Sequence, residues 1–220
     1  MEIELKYRTD SETAEKIFSE LGAASTDDIR IIPMEARYLD TKDGDLRERH
    51  ITYRLRKEGE VTVLTVKFGK GSDKARGGLH RREEINIPVP DDFAEKPGID
   101  VLEDTPIYKE LDKAVGGQYS DELGIMLPLK PLIPVIEMRF VRKETEVCLN
   151  EEGTGRAVLS YDEGVIIAGN KKSPFSELEI ELSEGNEDDL IGFGAKLSEK
   201  YGLQEGNKSK FARGLKLLEE

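Results

Sequence analysis

The chain has 220 residues, enough for one large domain, and it carries 33 Lys and Arg against 46 Asp and Glu, for a formal charge of −13. This acidic balance argues against a protein that coats nucleic acid or an anionic membrane, so a polyanionic ligand would need a local basic cluster. The single cysteine, Cys148, and the two histidines, His50 and His80, exclude an intramolecular disulfide and a multi-histidine metal site, so any metal would be held by carboxylates.

Secretion and membrane signals are not apparent in the sequence. The first residues, Met-Glu-Ile-Glu, are not basic and then apolar, and the most apolar stretch, 123–136, contains Lys130 and three prolines. We therefore expect a cytoplasmic protein that has no membrane or nucleic-acid partner and forms a single domain over residues 1–220.

Short strands are predicted through the first half of the chain. Residues 2–8 alternate charged and apolar side chains, which predicts a strand, and Asp10 or Ser11 is placed to cap a helix that ends near Gly22. Further strands, separated by turn sequences around Gly44, Gly59 and 69–78, are predicted at 36–40, 51–57, 61–68 and 81–89. This pattern is typical of a meander of hairpins.

The second half begins with a Pro-rich loop and a predicted helix at 105–117, and prolines then separate that helix from further strands. The later strands are predicted at 135–149, 156–161, 164–168 and 176–182, with a turn at Asp162, Glu163 and Gly164 between the middle pair. Two helices are predicted near 187–201 and 207–218.

One face of strand after strand carries both signs of charge, whereas the opposite face is apolar. The charged positions are Glu2, Glu4, Lys6, Arg8, Arg54, Arg56, Lys67, Arg82, Glu84, Glu177, Glu179 and Glu181. A half-buried strand whose polar face meets water would explain such charges without any further role. The alternative is an antiparallel barrel of about eight strands that closes on a charged interior, with helices covering its apolar outside.

The carboxylate pairs on these strands have a spacing that suits a cation. Glu2 with Glu4, and Glu179 with Glu177 or Glu181, are two residues apart, so their Cα atoms lie roughly 6.6 to 6.8 Å apart on one face of a strand. Such pairs can converge on a hard cation such as Mg²⁺, Mn²⁺ or Ca²⁺. The interleaved Lys and Arg would balance the carboxylates, and Arg offers a planar fork that suits phosphate oxygens. The combination favours a linear polyphosphate as ligand.

A series of segments resembles, in order, the motifs of the CYTH superfamily of triphosphate tunnel metalloenzymes. The segments are Glu2-x-Glu4-x-Lys6, Tyr38-Leu39-Asp40-Thr41, Arg54-Leu55-Arg56, Leu64-Thr65-Val66-Lys67, Gly77 to Glu84, Phe140-Val141-Arg142, Asp162-Glu163-Gly164, Glu177 to Glu181, and Ser209 to Gly214. The Gly-Gly-Leu-His lead-in at 77–80 is most similar to the bacterial inorganic triphosphatase branch. The resemblance implies an α+β fold, a closed tunnel of eight antiparallel strands with a charged interior and helices packed outside.

The resemblance also implies roles for individual side chains. The cations that would hold triphosphate are Lys6, Arg54, Arg56, Lys67, Arg82, Arg142 and Lys210. The carboxylates that would bind Mg²⁺ or Mn²⁺, or orient water, are Glu2, Glu4, Glu84, Asp162, Glu177 and Glu179. Within these sets, Glu4, Lys6 and Glu179 are the candidate catalytic residues.

Some assignments stay open at this point. Arg139 competes with Arg142 for the inward position, and any two of Glu177, Glu179 and Glu181 could face the metal. Arg213 is one turn beyond Lys210 and is more easily explained as a brace for its helix than as a substrate contact. The segment 97–134 carries no motif that the resemblance explains.

The implied function is metal-dependent hydrolysis of inorganic triphosphate to diphosphate and phosphate by a monomer or homodimer. Two other enzyme activities use a similar site, a class IV adenylyl cyclase and a thiamine or nucleoside triphosphatase. An alternative of another class is a non-catalytic polyphosphate-binding module. That module is less favoured, because a pure anion binder gains nothing from glutamates crowded beside its ligand.

Overall fold

The computed structural model describes residues 2–22, 29–68, 79–90, 131–206 and 208–220. Nine strands and four helices lie within these ranges. The helix predicted at 105–117 lies outside the described residues, as do most of the 97–134 segment and the turn at 69–78.

The strands are β1 (Glu2–Arg8), β2 (Arg30–Thr41), β3 (Thr52–Glu58), β4 (Val61–Phe68), β5 (Leu79–Val89), β6 (Leu132–Cys148), β7 (Arg156–Ala168), β8 (Lys171–Glu184) and β9 (Gln204–Glu205). The helices are α1 (Ser11–Gly22), α2 (Asp45–Glu48), α3 (Glu187–Tyr201) and α4 (Lys210–Glu219). The predicted first helix and last two helices are thus confirmed, whereas the short α2 and β9 were not anticipated.

Helix starts follow the capping residues in the sequence. Asp10 accepts a hydrogen bond from the Thr13 amide at 2.8 Å and caps α1. Asn186 caps α3 by accepting from the Asp189 amide at 2.9 Å. Ser209 caps α4 and thereby makes Lys210 the first residue of that helix.

The nine strands form one mostly antiparallel sheet in the order β5-β4-β3-β2-β6-β7-β8-β1-β9, and β1 pairs additionally with β5. The β1–β5 pairing places Glu2 opposite Arg82 and Leu5 opposite Leu79. On its other side β1 pairs with β8, where Lys6 lies opposite Glu179. The α+β class and the antiparallel pairing are therefore confirmed, and the motifs near the two ends of the chain lie on adjacent strands.

The chain divides into two compact units. The first takes its described residues from Met1–Met34, Lys70–Arg82 and Met138–Glu220, and the second takes them from Glu35–Gly69 and Glu83–Glu137. The single domain expected over residues 1–220 stays a prediction.

Each unit has an apolar core of its own. Leu5, Phe18, Leu178, Ile180 and Leu197 pack in the core of the first unit. Leu39, Tyr53, Leu64, Val66 and Phe68 pack in the core of the second. Among the described residues, no helix combines the length and the apolar character needed to cross a membrane.

Strand β7 corrects the turn predicted at 162–164. The strand runs unbroken through these residues and pairs with β8, with Asp162 opposite Glu177. A Cβ on Gly164 would lie only 2.2 Å from the carbonyl oxygen of Arg139 and 2.4 Å from the Cβ of Phe140. The glycine is therefore needed for the close approach of β6 rather than for a turn, and Asp162 lies in the middle of a strand.

Candidate functional site

The middle of strand β8 is buried on both faces, and one of those faces is charged. Glu177 and Glu179 are 1% and 8% exposed, and Leu178 and Ile180 between and after them are each 0% exposed. Glu181, which continues the charged face, is exposed. Glu177 and Glu179 are thus the two buried members of the late glutamate series, and buried carboxylates require cationic or hydrogen-bonding partners.

Seven charged side chains of the first unit provide those partners for one another and form a central ion-pair network. Its members are Glu4, Lys6, Arg142, Asp162, Glu177, Glu179 and Lys210. They come from β1, β6, β7, β8 and the start of α4. All seven were predicted as site residues, and the structure brings them together.

Glu179 lies at the centre of this network. Its Oε1 accepts hydrogen bonds from the ammonium groups of Lys6 and Lys210, each at 2.7 Å, and its Oε2 accepts one from Arg142 Nη2 at 2.9 Å. Burial alone would raise the pKa of Glu179, but the attraction of Lys210, Lys6 and Arg142 lowers it well below its ordinary value. The carboxylate is therefore ionised at neutral pH.

The ammonium group of Lys210 lies among three carboxylates. Its Nζ is 3.0 Å from Asp162 Oδ2, 2.8 Å from Glu177 Oε2 and 2.7 Å from Glu179 Oε1. Burial would lower the pKa of Lys210, but attraction to Glu177, Glu179 and Asp162 outweighs it and raises that pKa. Lys210 is therefore protonated and neutralises part of the carboxylate cluster.

Arg142 is the inward-facing arginine of β6. It donates from Nε and Nη2 to the two oxygens of Asp162, both at 2.7 Å, whereas Arg139 is exposed. Burial would raise the pKa of Asp162, and the charges of Lys210 and Arg142 lower it instead. Arg142, rather than Arg139, thus occupies the position that the sequence left open.

Lys6 connects β1 to the network. Its Nζ donates to Glu4 Oε2 at 2.8 Å in addition to its bond with Glu179. Burial would lower the pKa of Lys6, but Glu179, Glu4, Glu177 and Glu2 raise it well above its ordinary value. The Glu2 side chain is therefore close enough to act on the network electrostatically.

The segment that leads into α4 is fixed to β1 by its backbone. The amide of Gly206 donates to the carbonyl oxygen of Lys6 at 2.8 Å. His80 Nε2 lies 2.9 Å from the carbonyl oxygen of Gly206, which can only accept, so the ring nitrogen donates. A Cβ on Gly206 would lie 3.2 Å from Lys6 Cβ and 3.3 Å from Glu177 Oε1, so a larger residue would crowd the site.

The second unit holds another group of predicted residues around Arg54. Arg54 Nη2 lies 3.9 Å from Glu84 Oε1, and Lys67 forms an ion pair with the same carboxylate. The guanidinium of Arg54 also lies over the ring of Tyr38, 5.9 Å from its centroid. Arg56 is paired with Glu58 on its own strand at 2.5 Å. Arg82, which was also predicted, belongs to the first unit and is half-buried opposite Glu2.

Sequence reasoning missed two kinds of residue near these groups. Glu144 is 8% exposed, pairs with Arg30 at 2.9 Å and helps to raise the pKa of Arg142. Its position two residues beyond Arg142 on β6 was the available signal, since the two side chains share a face of the strand. Thr65 accepts a hydrogen bond from Arg54 and donates one to Asn86. Both side chains are neutral, so the pattern of charges in the sequence did not identify them.

The residue types of the network fit a hard divalent cation. Carboxylate oxygens are the ligands that Mg²⁺ and Mn²⁺ prefer, and the network contains one more carboxylate than cations. Within the described ranges, however, no group of three or more Asp, Glu, His or Cys side chains is arranged to hold a metal ion. Lys6, Arg142 and Lys210 neutralise the carboxylates here instead, so the metal ligands stay a prediction.

A curated relative of the chain is the inorganic triphosphatase of Haemophilus influenzae. The two are 30% identical over 177 residues, which cover 80% of this chain and 44% of that protein. The chain thus spans less than half the length of the curated relative that it matches.

Solved structures show the same fold at lower sequence identity. HpAC1 from Hippeastrum, described as a putative adenylyl cyclase with a dominant triphosphatase activity, has a TM-score of 0.70 and 19% identity over 98% of this chain and 96% of that chain. A putative adenylate cyclase from Bacillus halodurans has a TM-score of 0.60 and 19% identity over 97% and 96% of the two chains.

A sequence model of the CYTH domain matches residues 1–215. With the motifs of that family on the strands that carry the central ion-pair network, the chain belongs to the CYTH domain family.

Proposed function

We propose that this protein hydrolyses inorganic triphosphate to diphosphate and phosphate with the help of a divalent cation. The observation that carries the proposal is the central ion-pair network, in which buried Lys and Arg side chains lie beside buried carboxylates. The 30% identity to an inorganic triphosphatase supports the same reaction. Membership of the CYTH family implies dependence on a divalent metal, and we propose Mg²⁺ or Mn²⁺ as that metal.

The charge of the network explains why a cation is needed. The carboxylates outnumber the Lys and Arg side chains, and each of those cations already contacts a carboxylate, so a polyanion would meet no unbalanced positive charge. A divalent cation held by Glu2, Glu4, Asp162, Glu177 and Glu179 would offset the negative charge and polarise phosphoryl oxygens. Glu84, which pairs with Lys67 in the second unit, stays a further predicted ligand.

The chain's own residues then have separate tasks. Lys6, Arg142 and Lys210 donate to phosphate oxygens and hold the terminal phosphoryl group in line with the attacking water. Glu4 and Glu179 accept hydrogen bonds from that water. The water oxygen forms a bond to the terminal phosphorus while the bridging P–O bond breaks, diphosphate leaves with the electron pair, and one water proton passes to an oxygen of the departing diphosphate. The protein thus acts through position and charge, with no covalent nucleophile.

Four further Lys and Arg side chains were predicted to hold triphosphate. Arg54, Arg56, Lys67 and Arg82 are proposed to bind further phosphate oxygens. We also propose that the sheet closes as an eight-stranded barrel, and the pairing of β1 with both β8 and β5 supports that closure.

The test is an assay of tripolyphosphate with EDTA, Mg²⁺ or Mn²⁺, in which phosphate and diphosphate are both measured. We expect equimolar products only with metal, and a loss of several orders of magnitude in kcat/KM for Glu179→Gln. Glu181→Gln is the matched control, since Glu181 lies on the same strand but is exposed, and it should stay near wild type. Turnover without metal, or an unaffected Glu179→Gln, would contradict the proposal.

The same assay distinguishes the other activities. ATP is tested for cyclic AMP as well as for phosphate release, and thiamine triphosphate is included in parallel. Calorimetric binding of tripolyphosphate without hydrolysis under any metal would instead identify a non-catalytic binding module. The cytoplasmic location and the choice between monomer and homodimer stay predictions.

A further inference from the structure

Thr65 lies between two polar side chains on neighbouring strands of the second unit. Its side chain is on β4, opposite Arg54 of β3 and opposite Asn86 of β5. Arg54 Nη2 donates to Thr65 Oγ1 at 3.1 Å, and the Thr65 hydroxyl donates to Asn86 Oδ1 at 2.7 Å. The three residues thus form one hydrogen-bonded row across three strands.

The donor and acceptor roles in this row follow from the chemistry of its side chains. A guanidinium can only donate, so Thr65 Oγ1 must accept from Arg54 and place its own proton elsewhere. The side-chain oxygen of Asn86 accepts a hydrogen bond from the Thr65 hydroxyl, which leaves a lone pair of that hydroxyl directed toward Arg54. Thr65 is 0% exposed. A buried hydroxyl without hydrogen-bond partners would lower the stability of the folded protein.

The row restricts the side chain of Arg54. An arginine loses rotamer entropy when it is held in one conformation. Thr65 holds one end of the Arg54 guanidinium, while the carboxylate of Glu84 and the ring of Tyr38 lie near it. A guanidinium fixed before the ligand arrives binds phosphate more tightly, because less conformational freedom is lost on binding.

We propose that Thr65, oriented by Asn86, is a positioning residue that holds the Arg54 guanidinium for contact with phosphate oxygens. This inference rests on the proposed function, in which Arg54 binds triphosphate. Thr65 itself does not touch the substrate and acts only through Arg54.

The experiment compares Thr65→Val with Thr65→Ser, and each is combined with Arg54→Ala. Valine removes the hydroxyl and keeps the branched shape, whereas serine keeps the hydroxyl. We expect Thr65→Val to raise KM for tripolyphosphate about tenfold, which corresponds to one hydrogen bond to a charged group, with a smaller change in kcat. Thr65→Ser should stay within about twofold of wild type, and in the Arg54→Ala protein Thr65→Val should change KM no further.

Two further variants separate positioning from folding. Thr62→Val removes a hydroxyl from another buried threonine of β4 that lies on the opposite face, and it should leave KM unchanged. Asn86→Ala changes an exposed residue, so this variant still tests the inference if Thr65→Val fails to fold. It removes the acceptor of the Thr65 hydroxyl and should also raise KM. An equal effect of Thr65→Val with and without Arg54, or a serine variant as impaired as the valine variant, would overturn the inference.

A failure of the proposed function gives a different result. If wild type binds tripolyphosphate in calorimetry but does not hydrolyse it, the enzyme proposal fails, and the same variants are compared by dissociation constant. Non-additivity of Thr65→Val and Arg54→Ala in that measurement would still support the positioning role. If wild type does not bind tripolyphosphate at all, both proposals are wrong.

Discussion

Arg142 and Asp162 form a two-point ion pair in which Nε and Nη2 of the arginine each lie 2.7 Å from one carboxylate oxygen. The aspartate is 0% exposed, so its charge depends on the protein for stabilisation rather than on water. This pair joins the adjacent strands β6 and β7 at the position where the sequence had predicted a turn.

Asp162→Asn is expected to lower the free energy of unfolding by roughly 3–5 kcal/mol, the usual result of removing one partner from a buried ion pair. The change leaves Arg142 buried against a neutral amide and removes one carboxylate from around Lys210. Urea denaturation measures the difference. Glu181→Gln, on an exposed part of β8, should stay within about 0.5 kcal/mol of wild type. A similar small effect at Asp162 would contradict the importance of the pair.

Acid should weaken the metal-free protein through Asp162 and Glu179. Their pKa values are lower in the folded state than in the unfolded chain, so the stability they contribute is present above about pH 4.5 and is lost as pH falls through the folded values. Urea midpoints measured with EDTA from pH 7 to 3 should therefore fall below about pH 4.5. In Glu179→Gln the urea midpoint should decrease less between pH 7 and pH 3 than it does in wild type. An equal decrease in the two proteins would show that Glu179 does not contribute to the pH dependence of stability.

Gly164→Ala should be strongly destabilising, because the new Cβ would lie 2.2 Å from the Arg139 carbonyl oxygen, and that backbone atom cannot move aside cheaply. Gly192→Ala is the control on an exposed position of α3, where a Cβ meets no atom within 4 Å. That change should stabilise the protein by roughly 0.5–1 kcal/mol, since alanine is the better helix former. Thermal unfolding of the two variants should shift in opposite directions.

Lys210 and Arg213 both lie over the ring of Phe175, with their charged groups 5.6 and 5.7 Å from its centroid. Only Lys210 is among the carboxylates of the network, so we expect Lys210→Ala to reduce tripolyphosphate hydrolysis by orders of magnitude. Arg213→Ala loses a cation–π contact worth about 0.5–1 kcal/mol and should keep activity within a few-fold. Loss of activity as large as that of Lys210→Ala would assign Arg213 to the substrate.

The sequence predicted the antiparallel strands because many of them alternate between polar and apolar residues. The same alternation identified Glu177 and Glu179, but it could not say that Glu181 lies beyond the buried part of β8. Burial depends on which elements cover a strand, and that information is not local.

The turn predicted at 162–164 was wrong for a related reason. An acidic residue followed shortly by glycine is typical of turns, but here Asp162 is stabilised by Arg142 and Lys210, which are distant in sequence. Gly164 is required by the approach of β6. Thr65 and Asn86 were missed since neutral residues gain their role only from a charged neighbour across the sheet.

The shared carboxylate of Glu179 also bears on how the protein is made. Lys210 is synthesised more than two hundred residues after Lys6, yet both ammonium groups bind the same oxygen atom. A nascent chain that has not yet released Lys210 from the ribosome lacks the ammonium group that pairs with Glu177 and one of the three cations that pair with Glu179. The central ion-pair network is therefore complete only after this segment has been translated.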